Sequence, residues 1–220
     1  MCGRFTLTTD IGPYFDLFDL QLPEQLSQPR LFNIAPSQPV LGLVSGPSIE
    51  ADIMEWGFLP SWAKPDGKYR AVINARGETV AEKPFFRGAF KSNRCAILAD
   101  GFYEWRREAG GKTPYWITLE DERVFAMAGL RSRRTTVDGS EQVGCAIVTT
   151  GPNALMADIH DRMPVILDPD DVRAWLDREA QPGELQKLIH SFPADGMKAH
   201  AVSTRVNIPA NDSPENIEPV

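Results

Sequence analysis

Residues 95–149 read CAILADGFYEWRREAGGKTPYWITLEDERVFAMAGLRSRRTTVDGSEQVGCAIVT, and this stretch decides the fold class. It breaks into apolar and aromatic runs at 95–99, 102–106, 115–119, 124–130 and 143–149, separated by glycine, aspartate and charged residues. Runs of this length and composition predict strands. Toward the amino terminus, 2–8 reads as extended, and Ile11, Tyr14, Phe15 and Phe18 fall at helical spacing within 10–20. A proline-rich loop follows and ends at Asn33-Ile34-Ala35-Pro36. A hairpin is expected from 40–44 and 49–56 across Ser45-Gly46-Pro47, then a helix over 78–91 broken near Pro84. Toward the carboxyl terminus, short helices are expected at 153–159, 170–178 and 183–191, and a last strand at 199–203. Many closely spaced strands with peripheral helices predict an α+β protein whose sheet curls around one core. Prolines are scattered and no repeat interrupts the pattern, so 2–220 is read as a single domain.

Composition narrows the function classes. Of 220 residues, 42% are hydrophobic and 24% charged, as in a soluble globular protein with a real core. No apolar run is long enough to span a bilayer, and Met1-Cys2-Gly3-Arg4-Phe5-Thr6 is too polar for a signal peptide, so a cytosolic protein is expected. Cys2, Cys95 and Cys145 are odd in number and not at zinc-ligand spacing, which argues against a disulfide framework and a structural metal. Cys95 and Cys145 lie in apolar runs and read as buried thiols; Cys2, followed by glycine and arginine, does not. A net charge of −7 counts against strong non-specific binding of nucleic acid unless the acidic residues are segregated from a local basic groove. Arg131-Ser132-Arg133-Arg134 reads as a solvated loop.

A few residues carry chemistry. Cysteine is small enough for an aminopeptidase to remove Met1, which would leave Cys2 with a free amine and a thiol on adjacent carbons. An α-amine of ordinary pKa, about 7.7–8.0, is partly neutral in the cell. It can attack an aldehyde to form a Schiff base, and the neighbouring thiol can close onto the imine carbon as a five-membered thiazolidine. The alternative is that Cys2 is merely the second residue. His160, between Ile159 and Asp161-Arg162, is either a proton-transfer group or a surface histidine. Glu104, among aromatics in Asp100-Gly101-Phe102-Tyr103-Glu104-Trp105, is a general acid if it points inward and a solvated strand residue if it does not. Asn74 and Arg76 read as an orienting amide and a phosphate grip, or as turn residues; Trp62 as a base-stacking ring, or a cover for the core edge.

Several segments occur together in order: Met1-Cys2-Gly3-Arg4-Phe5, Asn33-Ile34-Ala35-Pro36, Trp56-Gly57, Asn74-Ala75-Arg76-Gly77-Glu78-Thr79, Arg94-Cys95, Asp100 to Trp105, Ile159-His160-Asp161-Arg162-Met163-Pro164 and Val202-Ser203. Over essentially the whole chain this resembles the SOS response-associated peptidase (SRAP) family. The resemblance implies a mixed, mostly antiparallel sheet curled into an open barrel with peripheral helices. It also implies a DNA-damage protein that binds abasic sites in single-stranded DNA and crosslinks to them through a thiazolidine at Cys2. On that footing Cys2 is the nucleophile, Asn74 positions the amine and the opened sugar, Glu104 shuttles the proton for ring opening, and His160 serves the imine step and reversal. Arg4, Arg76 and Arg162 would contact the DNA backbone, Trp105 and Thr149 line the pocket, and Pro36 and Trp62 contact flanking bases. No metal or organic cofactor is implied, and a monomer that meets the nucleoid through its DNA is expected. The family's name adds an autopeptidase activity removing the residue before Cys2, hence hydrolase or lyase-type labels.

The main rival is an N-terminal-nucleophile amidotransferase or cysteine hydrolase, which also begins Met-Cys-Gly and uses the freed amine as base for the thiol. Arg4 and the absence of an Asn-Gly-Asp segment weigh against it. A cysteine protease using Cys2 and His160, and a DNA-binding module without chemistry, are the remaining readings.

Overall fold

The computed structural model describes residues 2–21, 30–46, 48–64, 68–136 and 139–220. Met1, residues 22–29 of the proline-rich loop and Pro47 of the hairpin turn lie outside the described residues. The strands are β1 (Phe5–Leu7), β2 (Leu31–Ile34), β3 (Pro39–Ser45), β4 (Ile49–Trp56), β5 (Asn74–Arg76), β6 (Arg94–Ala99), β7 (Gly101–Glu108), β8 (Gly111–Leu119), β9 (Phe125–Thr135), β10 (Glu141–Thr150), β11 (Met163–Pro164), β12 (Ile166–Leu167) and β13 (Met197–Ala201). The helices are α1 (Gly12–Asp16), α2 (Arg87–Ser92), α3 (Ala154–Ala157), α4 (Pro169–Leu176) and α5 (Pro182–Lys187).

The strands bear out the mixed α+β reading, but they form two sheets rather than one. In the first, β10, β4, β3, β6 and β9 are hydrogen-bonded in that order, and β9 pairs back onto β10, so the ring closes. Closure satisfies the edge strands that an open sheet would leave bare. Within the ring the pairings are antiparallel except β4 with β10, which run parallel with Cys145 opposite Trp56. Gly144 permits that closure: a Cβ there would sit 2.3 Å from the Gly57 carbonyl oxygen, while the Gly57 N–H donates to Cys145 at 2.9 Å. β6 is buried throughout because α4 covers its outer side, Trp175 donating to the Cys95 carbonyl at 2.9 Å. The second sheet runs β13-β8-β7-β1-β2.

β7 is buried on both faces of its first half. Phe102 belongs to the main core, while Tyr103 packs with Trp116, Val202 and Val206 under the carboxyl-terminal segment. That segment is clasped from within. Buried Asn33 donates to the carbonyls of Val206, Ile208 and Asn211 at 3.2, 3.0 and 2.8 Å, and Tyr103 donates to Phe32 at 2.7 Å.

Several expectations are corrected. Residues 131–134 are not a loop: they extend β9, with Ser132 buried and Arg131 paired to Asp52. Cys2 is as buried as Cys95 and Cys145, since the strand that follows draws it into the core. The first helix spans only Gly12–Asp16, and Asp19 at φ 54 turns the chain back. Within 78–91, Gly77–Thr79 is a short 3-10 turn and only Arg87–Ser92 is α-helix. Pro84, lacking an N–H, separates the two.

Candidate functional site

Strand register brings the amino terminus to its partners. β1 lies antiparallel to β7 with Phe5 opposite Phe102 and Thr6 opposite Gly101, and the Tyr103 N–H donates to the Arg4 carbonyl at 3.0 Å. Continuing that register sets Gly3 opposite Glu104. Glu104 shares a face with Phe102, two residues away, and that face is interior, so its side chain points inward and is 1% exposed. Asn74 arrives from the other sheet. β5 lies parallel to β10, with Asn74 opposite Ile147 and Arg76 opposite Thr149, and the Asn74 amide donates to the Cys2 carbonyl at 2.9 Å. The Asn74 Oδ1 is buried and accepts no hydrogen bond among the described residues.

His160 is delivered by α3, whose start is capped by the Asn153 side chain accepting from Met156 N at 2.9 Å. The His160 N–H closes the last turn onto Met156 at 2.7 Å, and β11 then returns along β10 with Pro164 opposite Thr149. Nδ1 of His160 accepts the Arg162 backbone N–H at 3.0 Å, so Nε2 carries the proton in the neutral ring, and it lies 3.7 Å from Glu104 Oε2. Asp161 Oδ1 is also 3.0 Å from Nδ1, but its side chain is 86% exposed, so water screens it and the backbone donor sets the tautomer.

Burial governs the electrostatics. It raises the Glu104 carboxyl to about 7, against the pull of the positive amino terminus, so acid and conjugate base are both populated at neutral pH. Burial, helped by the amino-terminal charge, lowers His160 from its ordinary value and keeps the ring neutral. Burial and then the Glu104 charge raise the Cys2 thiol well above its ordinary range, so it is protonated. Among the described residues no group of three or more His, Cys, Asp or Glu side chains is placed to hold a metal ion.

Cys2, Asn74, Glu104 and His160 therefore converge. Thr149 and Arg162 stand beside them: Arg162 Nη2 donates to the Thr149 carbonyl at 2.7 Å, and the guanidinium forms a two-pronged pair with Glu78. Arg76 is exposed at the end of β5. Of the other residues singled out, Trp105 borders the hollow at His160, while the side chains of Arg4, Pro36 and Trp62 are engaged elsewhere. Arg4 is spent on the clasp, donating to Asn33 at 3.0 Å and to the Val206 and Asn207 carbonyls at 2.6 and 3.3 Å. Trp105 donates to the Asn207 side chain at 2.8 Å. Pro36 is exposed on a turn whose Ser37 takes φ 68. Trp62, 52% exposed, rests edge-on against Tyr69 at 5.1 Å and Phe85 at 6.2 Å. It borders a groove of about 620 Å³ with Arg87, Arg131 and Arg133. A second hollow, about 520 Å³, opens at His160 between Trp105, Arg107 and Asp158.

Sequence reasoning missed the structural use of Asn33, the Glu78 pairing and the arginines at the second hollow. Arg106-Arg107 directly after Glu104-Trp105 was the available signal for the last.

The family model described as "SOS response associated peptidase (SRAP)" matches residues 1–209. The chain belongs to the SRAP family. Within it, the chain is 44% identical to the abasic site processing protein YoqW of Bacillus subtilis, over 99% of each chain. It is 32% identical to the abasic site processing protein YedK of Escherichia coli, over the full length of both. The fold matches the crystal structure of a Bacteroides thetaiotaomicron protein at a TM-score of 0.88, with 24% identity and complete coverage of both chains. The closed ring with its flanking sheet is thus an SRAP architecture.

Proposed function

We propose that this SRAP protein, once trimmed of Met1, traps abasic sites in single-stranded DNA as a thiazolidine adduct of Cys2. One observation carries the reading: the residue that would become the amino terminus is buried against an orienting amide, Asn74, and a carboxyl held near neutrality, Glu104. The two SRAP relatives, whose names describe abasic site processing, support it.

The chemistry follows from the protonation states. Glu104, as the acid, gives a proton to the ring oxygen of the closed deoxyribose while water takes the proton of the anomeric hydroxyl, so the ring opens to the aldehyde. The neutral Cys2 amine adds to the aldehyde carbon, and loss of water leaves the imine. The protonated thiol then adds across the C=N bond, sulfur to carbon and proton to nitrogen, which closes the ring without a prior thiolate. Asn74 Oδ1, buried and unpartnered, is available to accept from the new amine. His160, neutral and hydrogen-bonded through its backbone neighbour, serves the imine step in both directions. Arg76 and Arg162 contact the backbone and Trp62 a flanking base, while Arg4 and Trp105 act through the clasped segment.

Arg4 and the absence of an Asn-Gly-Asp segment disfavour the N-terminal-nucleophile hydrolase. Removal of Met1, whether by the chain itself or by a separate aminopeptidase, precedes this chemistry. Intact-mass analysis after incubation with abasic single-stranded DNA tests the proposal. A mass equal to protein plus oligonucleotide minus one water is expected; unmodified protein refutes it.

A further inference from the structure

Glu78 is not among the residues given a role above, yet its position is unusual. The 3-10 turn Gly77–Thr79 carries it over the end of β10. The turn can press that close only because residue 77 is glycine: a Cβ there would lie 2.2 Å from Ile189 Cγ2 and 3.1 Å from the Thr149 carbonyl oxygen. From the turn, Glu78 Oε1 accepts from Arg162 Nη1 and Oε2 from Nη2 at 2.9 Å. Hydrogen bonding to Arg162, with the charge of Arg76 adding, holds the Glu78 carboxyl below the usual carboxylate range despite partial burial. Glu78 is an anion at every working pH.

Two parallel N–H···O bonds from a guanidinium are the arrangement a phosphate diester also takes. Arg162 has little else to offer: Nη2 is further committed to the Thr149 carbonyl, and Nε is buried with no hydrogen-bond partner among the described residues. The Arg162 side chain is 12% exposed, whereas that of Glu78 is 52% exposed and has solvent to swing into. We propose that Glu78 is a resident anion filling the phosphate seat of Arg162 in the free protein, and that a DNA backbone phosphate reaches Arg162 by exchanging with it. This rests on the reading of Arg162 as a backbone contact.

The device sets selectivity. Exchange leaves the number of charged hydrogen bonds on Arg162 unchanged, so an undamaged strand gains little from this contact. A strand whose lesion becomes bonded to Cys2 is retained regardless. An acidic protein built this way would release intact single strands readily.

The test measures undamaged single-stranded DNA binding by fluorescence anisotropy for the wild type, Glu78→Gln, Arg162→Gln and the double variant, with abasic-DNA crosslinking alongside. An exposed ion pair of ordinary strength corresponds to about three- to fivefold in affinity. Glu78→Gln is expected to bind undamaged DNA about three- to fivefold more tightly than wild type, with a steeper salt dependence because no displaced carboxylate takes a counterion back up. The gain should vanish in the Arg162→Gln background. Binding by Glu78→Gln that is unchanged or weaker, or a gain that persists without Arg162, overturns the exchange. A wild type that binds and responds as expected yet never crosslinks abasic DNA leaves the exchange standing and removes the trapping proposal instead.

Discussion

Glu104→Gln separates catalysis from stability within one side chain. The folded carboxyl titrates near 7 and the unfolded one near its ordinary 4.5, so the folded state binds the extra proton between those values. Stability is therefore fully present below about pH 4.5 and falls as pH rises toward 7. At about 1.4 kcal/mol per pH unit, the shift corresponds to a loss of about 3 kcal/mol across that window. Glutamine is neutral at every pH and nearly isosteric, so the variant should lose this slope. It should exceed the wild type in urea stability by up to about 3 kcal/mol at pH 7.5, with little difference at pH 4.5. The same change removes the proton donor, and well-placed acid–base catalysis is worth about 10²–10⁴-fold. Single-turnover crosslinking to an abasic oligonucleotide at pH 7 should slow at least tenfold, while affinity for undamaged DNA stays put. A variant that crosslinks at the wild-type rate would make Glu104 a structural residue. A variant whose stability tracks pH as the wild type does would show that Glu104 is not the buried acid described here.

The terminus gives a second test: intact mass of the wild type should lack Met1; retention of Met1 only in Cys2→Ala would assign the trimming to self-cleavage, and its loss from both would assign it to a separate enzyme. Cys2→Ala should form at most a labile imine, trappable by borohydride and lost on heating; a heat-stable adduct would place the nucleophile elsewhere. Arg76→Ala should weaken DNA binding by roughly 1–3 kcal/mol and flatten its salt dependence without changing the melting temperature. Asn33→Ala strips buried donors from three carbonyls and an acceptor from Arg4, and should cost about 3 kcal/mol in urea unfolding.

Much of this was legible in the chain. The runs at 95–99, 102–106, 115–119, 124–130 and 143–149 each became a strand, because β-branched and aromatic content survives burial on both faces. The hairpin of β3 and β4 also stands where 40–44 and 49–56 place it. β2 and β5 were not legible. Leu31–Ile34 is too short to show a period, and Asn74–Arg76 is a strand only because β10 offers it a parallel partner far along the chain. The direction of Glu104 was beyond reach for the same reason. Alternation says that Phe102 and Glu104 share a face, but only the second layer of packing makes that face interior. Arg4 shows the limit from the other side. An arginine two residues from Cys2 reads as a DNA contact, and its guanidinium is turned onto Val206 and Asn207, residues that no local pattern links to it.

The burial of Cys2 also imposes a timetable on biosynthesis. β1 is pinned by β7, whose Phe102 faces Phe5, so the pocket around residue 2 cannot form until that strand has left the ribosome. Its ring cannot close before β10 follows. At about 5–20 residues per second, the first hundred residues take roughly 5–20 s to make. During that interval Cys2 is as accessible as the rest of the nascent start, and afterwards it is buried.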